Sequence, residues 1–162
     1  MLDSADATGN DVTRAFQMAE QFANAAYRHL KDSKVLLENQ RWDGCAYLAG
    51  YVIECSLKAL ISSPSTPPGI ELKELGHNLS ALQACLDRMA ASRQPAWKRH
   101  APSSLLGALR SKLDTMQPPW EPAMRYASDN TAWRTEALGF WNLAHRCFGA
   151  FAKDLVTREV TP

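Results

Sequence analysis

The sequence predicts an all-α protein, an up-and-down bundle of about five helices. Three observations lead there. Apolar residues recur at steps of three, four and seven along five separate segments, the period of a helix face packed on a core. No segment alternates apolar and polar residues with a period of two, as a half-buried strand does. Two proline-interrupted stretches, SSPSTPPG at 62–69 and QPPWEPAMRYASDN at 117–130, punctuate the helical pattern, because proline fixes φ and removes an amide donor.

The elements follow in order. Residues 1–10 read as a polar, frayed tail ahead of a single domain spanning 11–158. From Val12 to Glu38, Ala15, Ala19, Phe22, Ala26, Leu30 and Leu37 form an inner face, with Arg14, Glu20, Lys31 and Asp32 outside. Asn39, Gln40 and Arg41 form a turn. A second helix runs from Trp42 to about Ile61, and the prolines beyond it prevent continuation. A third covers Asn78 to Ala91, with Asn78 as N-cap and Leu79, Leu82, Leu86 and Met89 inward. A fourth, about 103–116, carries Leu105, Leu109, Leu113 and Met116. The last, about 131–156, lines up Trp133, Ala137, Phe140, Ala144, Phe148, Phe151 and Leu155.

Composition excludes several classes of function. The net charge of +1 gives no global attraction to nucleic acid or acidic lipid, so any polyanion site must be local. The cysteines, Cys45, Cys55, Cys85 and Cys147, show no CxxC pair and no Cys/His cluster with zinc spacing, so neither a metal nor another cofactor is expected. They read as buried reduced thiols. The opening MLDSADATGNDVTR has neither the basic nor the apolar region of a secretion signal, and a cytoplasmic location is expected.

The most informative stretch is CAYLAGYVIECSLKALI, 45–61. It is too interrupted to suggest a membrane span, which needs roughly 20 mostly apolar residues. At 100° per residue Tyr47, Tyr51, Glu54 and Lys58 share one narrow stripe, and the remaining circumference is almost wholly apolar. Glu54 precedes Lys58 by four residues, the favourable order for an ion pair. Two readings stand: a solvated edge, or a partly buried cluster at a groove or subunit interface that serves a ligand or partner.

YLAGYVIECSLKALI, preceded by YRHLKDSKVLL and followed by LGHNLSAL and WEPAMRY, resembles the HEPN (higher eukaryotes and prokaryotes nucleotide-binding) domain family over roughly residues 15–155. The resemblance implies a helical bundle, commonly a homodimer, in a bacterial or archaeal setting tied to toxin–antitoxin, defence or RNA-processing systems. Many such domains are metal-independent endoribonucleases with an Arg, four to six intervening residues and then a His on a late helix. Others lack that motif and bind nucleotides or partners, often a small nucleotidyltransferase. Here Arg134 and His145 have ten residues between them, a rise of about 16 Å along one helix. The only literal match, RQPAWKRH from Arg93 to His100, contains Pro95. The expectation is therefore a nucleotide-, RNA- or partner-binding module without the standard nuclease motif; the alternative is a diverged endoribonuclease using Arg125, Arg134 or His145 at a dimer interface.

The other candidates each carry two readings. His77, ahead of the third helix, ties a loop or faces a phosphate. Arg125 and Tyr126, near Trp120, pack as a surface pair, or Arg125 reaches a phosphate or Glu54. Arg93, Lys98, Arg99 and His100 around Trp97 form a solvated loop or a nucleic-acid contact. His145 and Arg146 edge the apolar face of the last helix, where His145 is a packed side chain or an acid–base group.

Overall fold

The second helix is enclosed by the rest of the chain, and that position organises the fold. A computed structural model describes residues 4–62, 72–91, 103–117, 119–126 and 134–156, with side chains from Gly9 onward. The described residues form an all-α bundle of six helices with no strand among them: α1 (Ser4–Glu38), α2 (Trp42–Ile61), the single turn α3 (Leu72–Leu75), α4 (Leu79–Ala91), α5 (Ser103–Thr115) and α6 (Ala137–Phe151). Two 3₁₀ turns, Pro122–Tyr126 and Lys153–Leu155, complete them.

The α1–α2 pair is the largest contact in the bundle, and small residues make it close. Ala19, Ala23 and Ala26 of α1 and Ala46 and Ala49 of α2 are fully or almost fully buried. Side chains of this size let two helix axes approach nearer than leucines would. A turn closed by αL Gln40 (φ 58) joins the two helices. Arg41 N–H bonds Leu36 C=O at 2.8 Å and Gln40 N–H bonds Leu37 C=O at 3.1 Å, the paired pattern that ends a helix cleanly. On the other side of α2, α6 contributes Phe140, Ala144, Cys147, Phe148 and Phe151 to the core. Leu79, Leu82, Leu86 and Met89 of α4, and Leu105 and Leu109 of α5, close it.

By length and apolar content α2 could cross a bilayer, yet 78% of its apolar 18-residue window is buried inside the bundle. A central helix of a packed domain meets the same test, since both environments require an apolar circumference.

Several boundaries depart from the sequence reading. Helix α1 already runs from Ser4, through residues read as a tail. Extending an existing helix adds one hydrogen bond per residue fixed, so a polar stretch with alanines can continue it. Helix α6 begins at Ala137 rather than near 131; residues 134–136 form a turn in which Glu136 pairs with Lys112 of α5. At its other end Ala152 leaves the helical region (φ −131) and a 3₁₀ turn carries Leu155 back toward α1. Trp97 with the basic residues Arg93, Lys98, Arg99 and His100, and also Trp133, lie outside the described residues. All four cysteines are buried and free. Burial pushes the thiols up, Cys45 to about 11 and Cys55 and Cys147 to about 12, so they stay protonated at neutral pH.

Candidate functional site

The polar stripe of α2 faces inward. Glu54 is 3% exposed and Lys58 8%, and Lys58 Nζ donates to Glu54 Oε1 at 2.8 Å. The solvated-edge reading of the pair is thereby excluded. Two features hold it inside. The Lys58 ammonium lies 5.7 Å from the centre of the Phe22 ring of α1, a cation–π contact. The free side of the Glu54 carboxylate is met by His77.

His77 reaches Glu54 because of the turn that precedes α4. Gly76 adopts φ +53, a left-handed conformation that suits glycine, and swings the chain back over α2. Asn78 then caps α4 through Oδ1, which accepts from Ala81 N–H at 3.0 Å. Between them, His77 Nδ1 stands 2.9 and 3.0 Å from the two Glu54 carboxylate oxygens. A carboxylate only accepts, so Nδ1 carries the proton and donates. Of the two readings for His77, loop-tying is what this contact accomplishes. The imidazole is still 59% exposed at its other edge.

Above this cluster lie the phenols. The Tyr47 hydroxyl donates to that of Tyr51 at 3.4 Å, and their rings meet edge to face at 5.2 Å. Tyr51 is the hub of an aromatic group. His77 lies 6.3 Å from it, Trp120 5.2 Å and His29 of α1 5.5 Å, centroid to centroid. Burial, the Tyr47 hydrogen bond and the nearby Glu54 charge push the Tyr51 phenol up to about 12. It is therefore a neutral donor at any physiological pH. Burial, with help from Arg28, lowers the His29 pKa against the opposing pull of Asp32 and Glu54.

Trp120 fixes the last component. Its indole lies directly on Gly50 of α2, where an added Cβ would stand 1.9 Å from Nε1. The Nε1–H donates to Tyr47 C=O at 3.0 Å. This anchor holds the following 3₁₀ turn beside the stripe. There Arg125 is exposed, its guanidinium 4.6 Å above the Tyr126 ring and hydrogen-bonded to the Tyr126 and Tyr47 side chains, within electrostatic reach of Tyr51. Tyr126 itself is 77% exposed.

Thus Tyr47, Tyr51, Glu54 and Lys58 of α2, His77 from the turn before α4, and Arg125 with Tyr126 from the 3₁₀ turn come together. Arg125 approaches the phenols and not Glu54, whose charge Lys58 and His77 already answer. Arg134 and His145 do not join them. Arg134 is exposed in the turn ahead of α6, which starts at Ala137, so the two do not share a helix as the spacing suggested. The His145 ring stacks on Trp141 at 5.5 Å, and Trp141 Nε1–H donates to Ser33 Oγ of α1 at 3.1 Å. No contact joins His145 to the Glu54 cluster among the described residues.

Sequence reasoning missed His29 and Gly50. His29 falls seven residues after Phe22, on the same face of α1, and that register could have found it. A glycine in the middle of an apolar helix signals close approach by another group.

Among the described residues no three His, Cys, Asp or Glu side chains gather as a metal site requires. The chemistry on offer is one exposed guanidinium, two phenols, a carboxylate-backed imidazole and several aromatic faces. Compared with protein-family models, with curated proteins and with solved structures, the chain matches none.

Proposed function

We propose that the chain is a HEPN-type helical module that binds a nucleotide, or a partner such as a nucleotidyltransferase, through the α2 stripe. It acts as a homodimer in a toxin–antitoxin, defence or RNA-related system. One observation carries this reading. Side chains from three separate segments converge on α2, and they present an exposed cation beside phenols and aromatic rings, while the charges of Glu54 and Lys58 cancel beneath. Guanidinium groups suit phosphate oxygens, and flat rings suit nucleobases. Titration of ¹⁵N-labelled protein with adenosine nucleotides tests it. Saturable shifts at Tyr47, Tyr51 and Arg125 are expected, with a light-scattering mass of two chains. Unchanged spectra across all nucleotides, or one chain per particle, remove the respective half of the proposal.

A second reading, a metal-independent endoribonuclease, draws on a different observation: the imidazole of His77 held by a buried carboxylate is arranged as a general base is. The binding reading expects single-stranded RNA to stay intact in metal-free buffer. Cleavage that is lost in His77→Asn or Arg125→Gln, with helicity unchanged, would promote the enzyme; loss in His145→Ala instead would return catalysis to α6.

A further inference from the structure

His77 has one nitrogen to spare. Its Nδ1–H is shared between both oxygens of Glu54, so the exposed edge of the ring carries Nε2. A carboxylate behind an imidazole fixes the tautomer and leaves the Nε2 lone pair outward. On a neutral ring that atom is an acceptor, suited to a hydroxyl and not to an anion.

The opposite demand is made on the far side of Tyr51. Arg125 offers an exposed fork of N–H donors, in part turned to the Tyr47 and Tyr126 hydroxyls, and among the described residues no carboxylate acts on it. Such a fork takes phosphate oxygens in pairs. The two ends of the stripe thus ask for different groups, a hydroxyl at His77 and an anion at Arg125, with the phenols of Tyr47 and Tyr51 between.

We propose that the α2 stripe takes a ribose phosphate, the sugar hydroxyl donating to His77 Nε2 and the phosphate resting on Arg125. This rests on the nucleotide-binding reading above and gives it residues. Glu54 and Lys58 are positioning residues. Glu54 aims His77, and Lys58 cancels the charge of Glu54, so the buried carboxylate does not repel the phosphate. Specificity then lies in the sugar and the phosphate, with the exposed Tyr126 ring as a platform for whatever base follows.

Calorimetric titration of the full chain with adenosine monophosphate, ribose 5-phosphate, adenosine and inorganic phosphate tests this. His77→Asn is the informative variant, because its amide N–H can replace Nδ1 toward Glu54 while the outward nitrogen is lost. It is expected to weaken adenosine monophosphate and ribose 5-phosphate roughly tenfold and to leave inorganic phosphate unchanged. Arg125→Gln is expected to weaken all three phosphates by a similar factor or more. Undiminished binding of adenosine monophosphate by His77→Asn, or adenosine binding as tightly as its phosphate, overturns the inference and leaves nucleotide binding standing. Absence of any binding removes both. Should His77→Asn not fold, the ring nitrogens of wild-type His77 decide: an Nε2 resonance that moves on adding ribose 5-phosphate supports the inference, and a static one overturns it.

Discussion

Two ion pairs in this molecule have the same composition and the same four-residue spacing, and they differ in almost everything else. Lys34 and Glu38 of α1 sit 3.7 Å apart with 61% and 60% of their side chains exposed. Glu54 and Lys58 of α2 sit 2.8 Å apart with 4% and 10% exposed. The first pair lies where α1 meets solvent; the second lies on a helix that the bundle surrounds. Spacing makes the pair possible, and the surroundings of the helix decide what it does. An exposed pair contributes some tenths of a kcal/mol. A buried one cannot be dismantled from one side without leaving a bare charge.

The largest effect is therefore expected at Glu54. Glu54→Ala leaves Lys58 buried without its acceptor and His77 without its tether. It should lower stability by about 3–5 kcal/mol in urea denaturation. Replacing both partners together, Glu54→Leu with Lys58→Met, should cost much less than the single change, because no charge is stranded. A single-change loss below about 1 kcal/mol would place this pair with Lys34–Glu38.

Gly50 sharpens the contrast from the other side of the stripe. Gly50→Ala sets a methyl group into the rigid indole of Trp120. Overpacking of this kind costs about 1–3 kcal/mol. It should also shift the Arg125 and Tyr126 resonances, since Trp120 anchors their turn. Normal stability with an undisturbed Trp120 indole signal would contradict the packing described.

A smaller effect is expected from pH. Burial lowers the His29 pKa below its ordinary 6.5, so the unfolded chain takes up this proton more readily than the folded one. Stability should therefore be lost as pH falls through 6.5, and His29→Gln should lose less than wild type between pH 7 and 5. Parallel stability profiles for the two proteins would show that His29 is not protected. The smallest effect belongs to the exposed pair: Lys34→Ala should change stability by less than about 0.5 kcal/mol.

Much of the fold was legible because it depends on periodicity. The inner faces of α4 and of α6 from Ala137 onward are those that the three- and four-residue steps mark, and Asn78 caps α4 as its side chain and position suggest. The beginning of α6 was not legible, since nothing apolar distinguishes 131–136 from the helix that follows, and Glu136 is engaged by Lys112 of α5, a contact between helices that no local pattern reveals. The stripe on α2 was visible as a pattern, but its burial was not. A helical wheel shows that Tyr47, Tyr51, Glu54 and Lys58 align, while only packing shows that α1 covers them with Phe22 and His29. The meeting of Glu54 with His77, 23 residues away, depends on a left-handed glycine whose effect on direction no local pattern reveals. The one-helix placement of Arg134 and His145, already about 16 Å apart by their spacing, fails because Arg134 lies in the turn ahead of α6.

Glu54 and Lys58 form the buried centre of the α2 stripe and not a wet edge. A pair of double-mutant cycles to alanine, one on Glu54 and Lys58 and one on Lys34 and Glu38, addresses this placement in a single series of denaturation curves. A coupling energy above about 1 kcal/mol is expected for Glu54–Lys58, against less than about 0.5 kcal/mol for Lys34–Glu38. Equal, small couplings in the two cycles would contradict it.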